Sequence, residues 1–317
     1  MAKQHIYRIN YIEFDGLDRK RRYFDSDFSG EYGAFSKFVP SGWAFKKCKF
    51  GDKALQGVRR VNFQECTFGD NNLYSAERVN LLDCLFYGGE LNSSKMVTLK
   101  GCSLKDKGYQ NRPQFGNSCR GVFIEFCDFS SPDIVAFEDS ESIFARDCKF
   151  NGFWALKNAK HLDIEDCDFT GERPLGYIKD ATFTGGSFSG EDSFCAASNV
   201  IIKYAKSIGD RAFWNSGDIF VYAPNAVVKG LFPPVRGIIV VEGIENIRYD
   251  GGSLNYKNPH IYVLSEPKPT DVARHVKKIN GDILMRLQEI VLRGSDLKWS
   301  LEDAVRQGIL PSRTKKN

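Results

Sequence analysis

VNFQECTF at 61–68, VNLLDCLF at 79–86 and VTLKGCSL at 97–104 share one frame: apolar, any, apolar, two residues, Cys, any, large apolar. The frame recurs as VFIEFCDF (122–129), IFARDCKF (143–150) and LDIEDCDF (162–169), and more loosely as WAFKKCKF (43–50). Its cysteines are Cys48, Cys66, Cys84, Cys102, Cys127, Cys148 and Cys167, at spacings of 18, 18, 18, 25, 21 and 19 residues. Small residues then take the cysteine's place: Gly186 in ATFTGGSF, Ala205 in VIIKYAKS and Gly252 in IRYDGGSL. IFVYAPNAV (219–227) fits the frame if Pro224 stands there.

A fixed period near 19 is too short for a helical pair or a propeller blade and suits one turn of a β-solenoid. Within each unit the apolar residues alternate, as a strand with one buried face requires. Phe, Val and Ile fill the inward positions and fit a pleated surface. Turns such as FGD, YGG, FNG and FTG follow, with Gly and Asn supplying positive φ. A second element comes next, clearest in GFWALKNAKHL and DRAFWNSGDIF. The expected fold is an all-β solenoid: a single-stranded right-handed parallel β-helix of about 19 residues per coil with a C-terminal α-helical cap. The hand follows from the general preference for right-handed parallel crossovers.

Stacked coils place like residues above one another, about 4.8 Å apart. The cysteines then form a packing ladder of reduced thiols, since a free Cys is a compact, weakly polar hydrophobe. Stacked strands rarely offer disulfide geometry, and a one-dimensional ladder does not make a tetrahedral metal site. The nine cysteines are odd in number and none forms a CxxC pair. With the polar start MAKQHIYRIN, which is no signal peptide, they point to a cytoplasmic location. No apolar run reaches the length that crosses a bilayer.

The chain divides into an N-terminal cap and first coil (1–30), the parallel β-helix (31–264) and a C-terminal helical cap or extension with a basic tail (265–317). KDKGYQNRPQFGNSC (105–119) lengthens one coil and reads as a loop bulging from a corner. LFPPVRG (231–237) breaks the period. Beyond the linker SEPKPTD, with Thr270 or Asp271 as N-cap, Val272, Val276, Ile279, Ile283, Leu287 and Ile290 make one helical stripe that ends at Gly294. That stripe docks on the last coil, or joins a second copy or another protein.

Parallel β-helices often act on polysaccharides through carboxylates on an outer face. The coil HLDIEDCDF carries Asp163 and Glu165 on the outer face, Asp166 at the corner and Asp168 beyond it. One coil earlier, Arg146, Asp147 and Lys149 stack against Glu165, Asp166 and Asp168. Asp147 and Asp166, one coil apart, are candidates for an acid/base pair, with Asp163 beside them. The same carboxylates could hold a calcium ion. The competing reading is a solvated face balanced by Arg146 and Lys149, since Glu65 and Asp83 share the repeat position. No metal and no cofactor is expected. His5, His161, His260 and His275 have no ligand or catalytic spacing. DRKRR (18–22) is a short basic patch, read as a solvated cap. Trp154 and Trp214, each after a Phe in GFW and AFW, stand at equivalent positions and suit sugar stacking or a protein hot spot. With them, Arg146, Glu165 and Asp168 complete the candidate binding residues.

The units GFWALKNAKHLDIEDCDFTGERPLGYIKD (152–180) and DSFCAASNVIIKYAKSIGDRAFWNSGDIFVY (192–222) resemble a bacterial family of right-handed β-helix proteins with Phe-Trp, Asn and Asp-Cys positions in each coil. The resemblance covers about residues 40–255 and implies the fold. The family has no assigned activity, so the resemblance implies no catalytic residues. The expectation for function is a non-enzymatic protein-binding or scaffold protein, an effector or inhibitor among the possibilities, using the outer face and the C-terminal helices. Its partner is another protein or a second copy of the chain. The alternative is a polysaccharide lyase or glycoside hydrolase near Asp147 and Asp166. With 44 basic against 40 acidic residues, no basic stripe is evident, so nucleic acid is not expected as a partner, nor is a membrane.

Overall fold

A computed structural model describes residues 22–29, 41–105, 114–131, 134–231, 234, 236–244 and 260–263. They form a parallel β-solenoid of about ten turns. The residues between 105 and 114, Gly252 and the C-terminal helices lie outside the described residues, as do His5, His275 and Arg19–Arg21 of the basic patch.

Each regular coil begins with a six-residue strand, such as Arg59–Gln64, Arg120–Glu125 or Lys160–Glu165, and continues into a two-residue strand, such as Thr67–Phe68 or Asp168–Phe169. A third side of turns closes the tube. Every long strand pairs in parallel with the next, in a register that carries Val61 to Val79, Val97, Val122, Ile143, Leu162, Ala181 and Val200. These residues are buried, as are Phe63 and the residues it aligns with. The short strands stack phenyl rings: Phe50 on Phe68 at 5.2 Å, Phe68 on Phe86 at 5.0 Å and Phe150 on Phe169 at 4.8 Å between centroids. Rings lying face to face at the coil spacing make the core continuous along the tube.

The corner between the two strands repeats one backbone device. The residue before the cysteine is left-handed in every regular coil: Asp25, Lys47, Glu65, Asp83, Gly101, Phe126, Asp147, Asp166, Gly185 and Tyr204 all have φ between 46° and 71°. Its N–H donates to a carbonyl of the next coil, as Glu65 to Leu82 at 2.8 Å and Asp147 to Glu165 at 3.1 Å. Two residues on, the N–H donates back, as Thr67 to Cys48 at 2.9 Å. Backbone groups at the bend are therefore satisfied between coils, as burial demands. Asp and Gly tolerate the left-handed conformation better than most residues, so the recurring Asp at this place follows from backbone geometry.

The cysteine behind that corner points inward. All nine cysteines are free and buried. Each ladder thiol donates to the carbonyl two residues before it: Cys66 to Gln64 at 3.3 Å, Cys127 to Glu125 at 3.2 Å, Cys148 to Arg146 at 3.1 Å. A small side chain with a weak S–H donor meets both needs of the place. Burial pushes the Cys84 thiol up. It does the same to Cys119, raised to about 12. Gly186 differs from the other small residues in this ladder. Its φ is +73°, and a Cβ there would lie 2.2 Å from the Cys167 carbonyl oxygen.

A second ladder occupies another corner. Ser94, Cys119, Ser140 and Ser216 are buried and donate to carbonyls of the preceding coil: Leu73 at 2.8 Å, Leu91 at 2.9 Å, Gly116 at 2.9 Å and Phe194 at 2.5 Å. Toward the C-terminal end the regular corner opens out. Asp218–Val228 runs as one strand, pairing Lys203 with Tyr222 and Ile208 with Val228, so one extra residue enters between those two pairings. Arg236–Ile244 and His260–Val263 add further parallel strands after the LFPPVRG break.

Candidate functional site

The stacking expected around HLDIEDCDF is observed. Arg146 aligns with Glu165 and Lys149 with Asp168; Asp163 aligns with Thr182, Glu165 with Thr184 and Asp168 with Ser187. Asp163 faces outward between Phe144 and Thr182, and partial burial raises its carboxyl above the ordinary value. Asp147 and Asp166 stand on the left-handed corner, exposed. Each has a basic neighbour: Arg146 Nε lies 3.9 Å from Asp147 Oδ2, and Lys206 Nζ lies 3.9 Å from Asp166 Oδ1. Among the described residues, no group of three or more His, Cys, Asp or Glu is placed to hold a metal ion.

Arg146 belongs to a cluster running across three coils. Glu125 is 7% exposed, contacts Lys100 at 3.8 Å and accepts a hydrogen bond from Arg146 Nη2. Either side of this buried carboxylate carries aromatic rings. Phe123 and Phe144 stack on the outer face with centroids 4.9 Å apart and planes 7° from parallel. Phe126 projects from the corner, 51% exposed, with Lys100 Nζ 5.8 Å from its ring centre. Four coils on, the same corner place holds Tyr204, 53% exposed and edge-on to Tyr222 at 5.8 Å. Sequence reading placed aromatic rings inside or on the Trp positions and missed these two. The available signal was a bulky residue directly before the cysteine or its substitute, where other coils carry Asp, Glu, Lys or Gly.

The two tryptophans are not equivalent, which corrects the reading of GFW and AFW. The N–H groups of Trp154, Arg173 and Asp192 occupy one ladder, donating to Glu172, Glu191 and Asp210. Trp214 stands three places further along its coil, its carbonyl level with those of Gly176 and Cys195. The physical reason is that in AFW the Phe fills an inward place, Phe213 being fully buried, whereas in GFW the inward residue is Leu156, after the Trp. Lys157 Nζ lies 3.4 Å from the centre of the Trp154 ring and 2.9 Å from Glu138, so one face of that ring is already occupied.

The Trp154 ladder leads to a second ionic cluster. Asp192, 1% exposed, sits between Arg173, at 3.3 Å, and Arg211, whose Nε donates to it at 2.8 Å. Arg211 also meets Glu191 at 2.9 Å. His161, at a left-handed place, lies 3.7 Å from Glu141 and 3.9 Å from Asp180. No family model and no curated protein matches the chain.

Proposed function

We propose that this solenoid is a non-enzymatic scaffold that holds a protein partner against the corner bearing Phe126 and Tyr204. The observation that supports it is an exposed aromatic ring at a left-handed residue, twice in one row. A bulky side chain there costs about 1–2 kcal/mol of backbone strain, and an exposed ring recovers little of that by packing. Such strain is characteristic of functional positions, and aromatic residues flanked by Arg are the usual anchors of protein interfaces. Arg146, with the Glu125 carboxylate behind it, lies beside Phe126, and Glu165 and Asp168 continue the same edge toward Tyr204.

The test uses Phe126→Asn and Tyr204→Asn, since Asn accepts the left-handed conformation. Each substitution is expected to raise stability by about 1 kcal/mol, read from denaturant midpoints. The double variant is expected to lose at least tenfold in affinity for the protein captured by the full chain. Unchanged stability and unchanged affinity together would remove the corner from the binding surface. One observation favours the glycan-cleaving alternative, the raised Asp163 carboxyl. Asp147 and Asp166 add little to it, because each has a basic neighbour and the left-handed backbone already accounts for an Asp there.

A further inference from the structure

The near-neutral chain is not neutral around its circumference. From the Arg59 coil onward, the first two places of the long strand carry Arg59, Arg60, Arg78, Lys95, Arg120, Lys160 and Lys179, against Glu77, Glu141 and Asp180. All these bases except the half-buried Arg78 are exposed; the Arg59 and Arg120 side chains are each 70% exposed. Glu77 and Glu141 are only partly exposed and lie 3.7 Å from Arg59 and Arg120. The result is a basic ridge of six coil steps, roughly 29 Å long at about 4.8 Å per step.

The opposite corner of the same strand is acidic. Glu65, Asp83, Asp147 and Asp166 occupy its left-handed places, and Asp128 and Asp168 open the short strands, with Lys100, Arg146, Lys149 and Lys206 beside them. Four residues separate the two edges, five rises or about 17 Å of strand. The outward row between them is buried at Asn62 and Asn80 and opens from Thr98 onward, through the stacked pair Phe123 and Phe144, to Asp163 and Thr182.

We propose that this face binds a single-stranded nucleic acid, with its phosphates along the ridge and its bases turned across the Phe123–Phe144 row toward the acidic corner. Such a strand carries charge along one edge only. Its other edge bears neutral bases whose exocyclic amino groups donate to carboxylates, and the half-buried Phe123 and Phe144 rings add apolar contact beside the basic track. A duplex presents phosphates on both sides, and a polyuronate ribbon carries carboxylates on both sides, so the acidic corner repels one edge of either. The ridge lies across the strand from Phe126 and Tyr204, but the acidic corner that the bases approach is the row that carries both rings, so a bound strand and a protein partner would share that edge.

The experiment measures fluorescence anisotropy of a labelled oligodeoxycytidylate, whose N4 amino groups can donate to the carboxylates, with the full chain, against a mixed-sequence duplex and heparin. The single strand is expected to bind at least tenfold more tightly than the duplex. Reversing the ridge in Lys95→Glu, Arg120→Glu, Lys160→Glu and Lys179→Glu together should lower that affinity at least tenfold. It should also reduce the slope of log K against log salt by about 3, at about 0.7 per phosphate contact on a single strand. The neutral set with Gln at the same four positions guards against misfolding and should fall in the same direction. Asp83→Asn, Asp147→Asn and Asp166→Asn together should narrow the preference over duplex and heparin. Equal binding of all three polyanions by the wild-type chain, or a ridge variant that binds as wild type does, overturns the proposal.

Discussion

Gly186 shows how narrowly the corner is specified at the level of one residue. Seven coils place Cys at this point and one places Ala205, so the sequence suggests that any small side chain is admissible. The geometry is stricter: φ is +73°, and a Cβ would stand 2.2 Å from a backbone oxygen that cannot move without breaking the preceding coil. Completing the thiol ladder with Gly186→Cys is therefore expected to destabilise the protein by about 3 kcal/mol, the upper end for a side chain forced into a forbidden backbone region. Chemical denaturation of the purified variant checks this. The acidic residues before the cysteines have the same kind of origin. Asp147 and Asp166 read from sequence as a possible acid/base pair or calcium site, but the left-handed φ they share with Asp83 explains their type without chemistry. Sequence periodicity located them correctly. It could not distinguish a backbone preference from a reactive group, because both select Asp.

At the scale of the strand and the turn, legibility divides between the sides of the coil. Long and short strands were readable because alternation and the Cys frame fix their phase, and the pairings of Arg146 with Glu165 and Asp163 with Thr182 follow directly. The third side was misread because its inward residue shifts relative to the Phe-Trp pair, so GFW and AFW align by eye and not in space. Once the phase is set by Leu156, Leu175, Phe194 and Phe213, the 19-residue spacing of Trp154, Arg173, Asp192 and Arg211 becomes visible. The buried Asp192 carboxylate clamped by two arginines then appears as what locks three consecutive turns together. Asp192→Asn is expected to cost about 2 kcal/mol, less than the 3–5 kcal/mol of a fully buried pair because both arginines reach water. Arg173→Ala in that background should add less than it does alone. Full additivity in the double-mutant cycle would show that the two act independently.

At the scale of the molecule, strand pairings among the described residues run between adjacent turns, so the stability of this part is a sum of nearest-neighbour terms. Bases prevail at the start of the long strand and acids at its far corner when the turns are summed, which is why a chain with nearly equal numbers of acids and bases still has a basic and an acidic edge. Composition could not reveal this, since it discards position. The coil phase would have, had charges been counted by place in the repeat. The corner hydrogen bonds extend the same logic to length. Each left-handed N–H finds its acceptor one turn ahead, whatever side chains that turn carries, so the backbone does not distinguish its tenth neighbour from its second. Residues 160–178 form one such unit, with Lys160 and Lys179 in register. Excising them should leave a cooperative fold shortened by about 4.8 Å, measurable by small-angle scattering, whereas removing half that number should abolish folding. The molecule is in this sense a ruler whose graduations can be added or taken away, and natural selection could set the reach of its working surface by counting turns while leaving every joint unchanged.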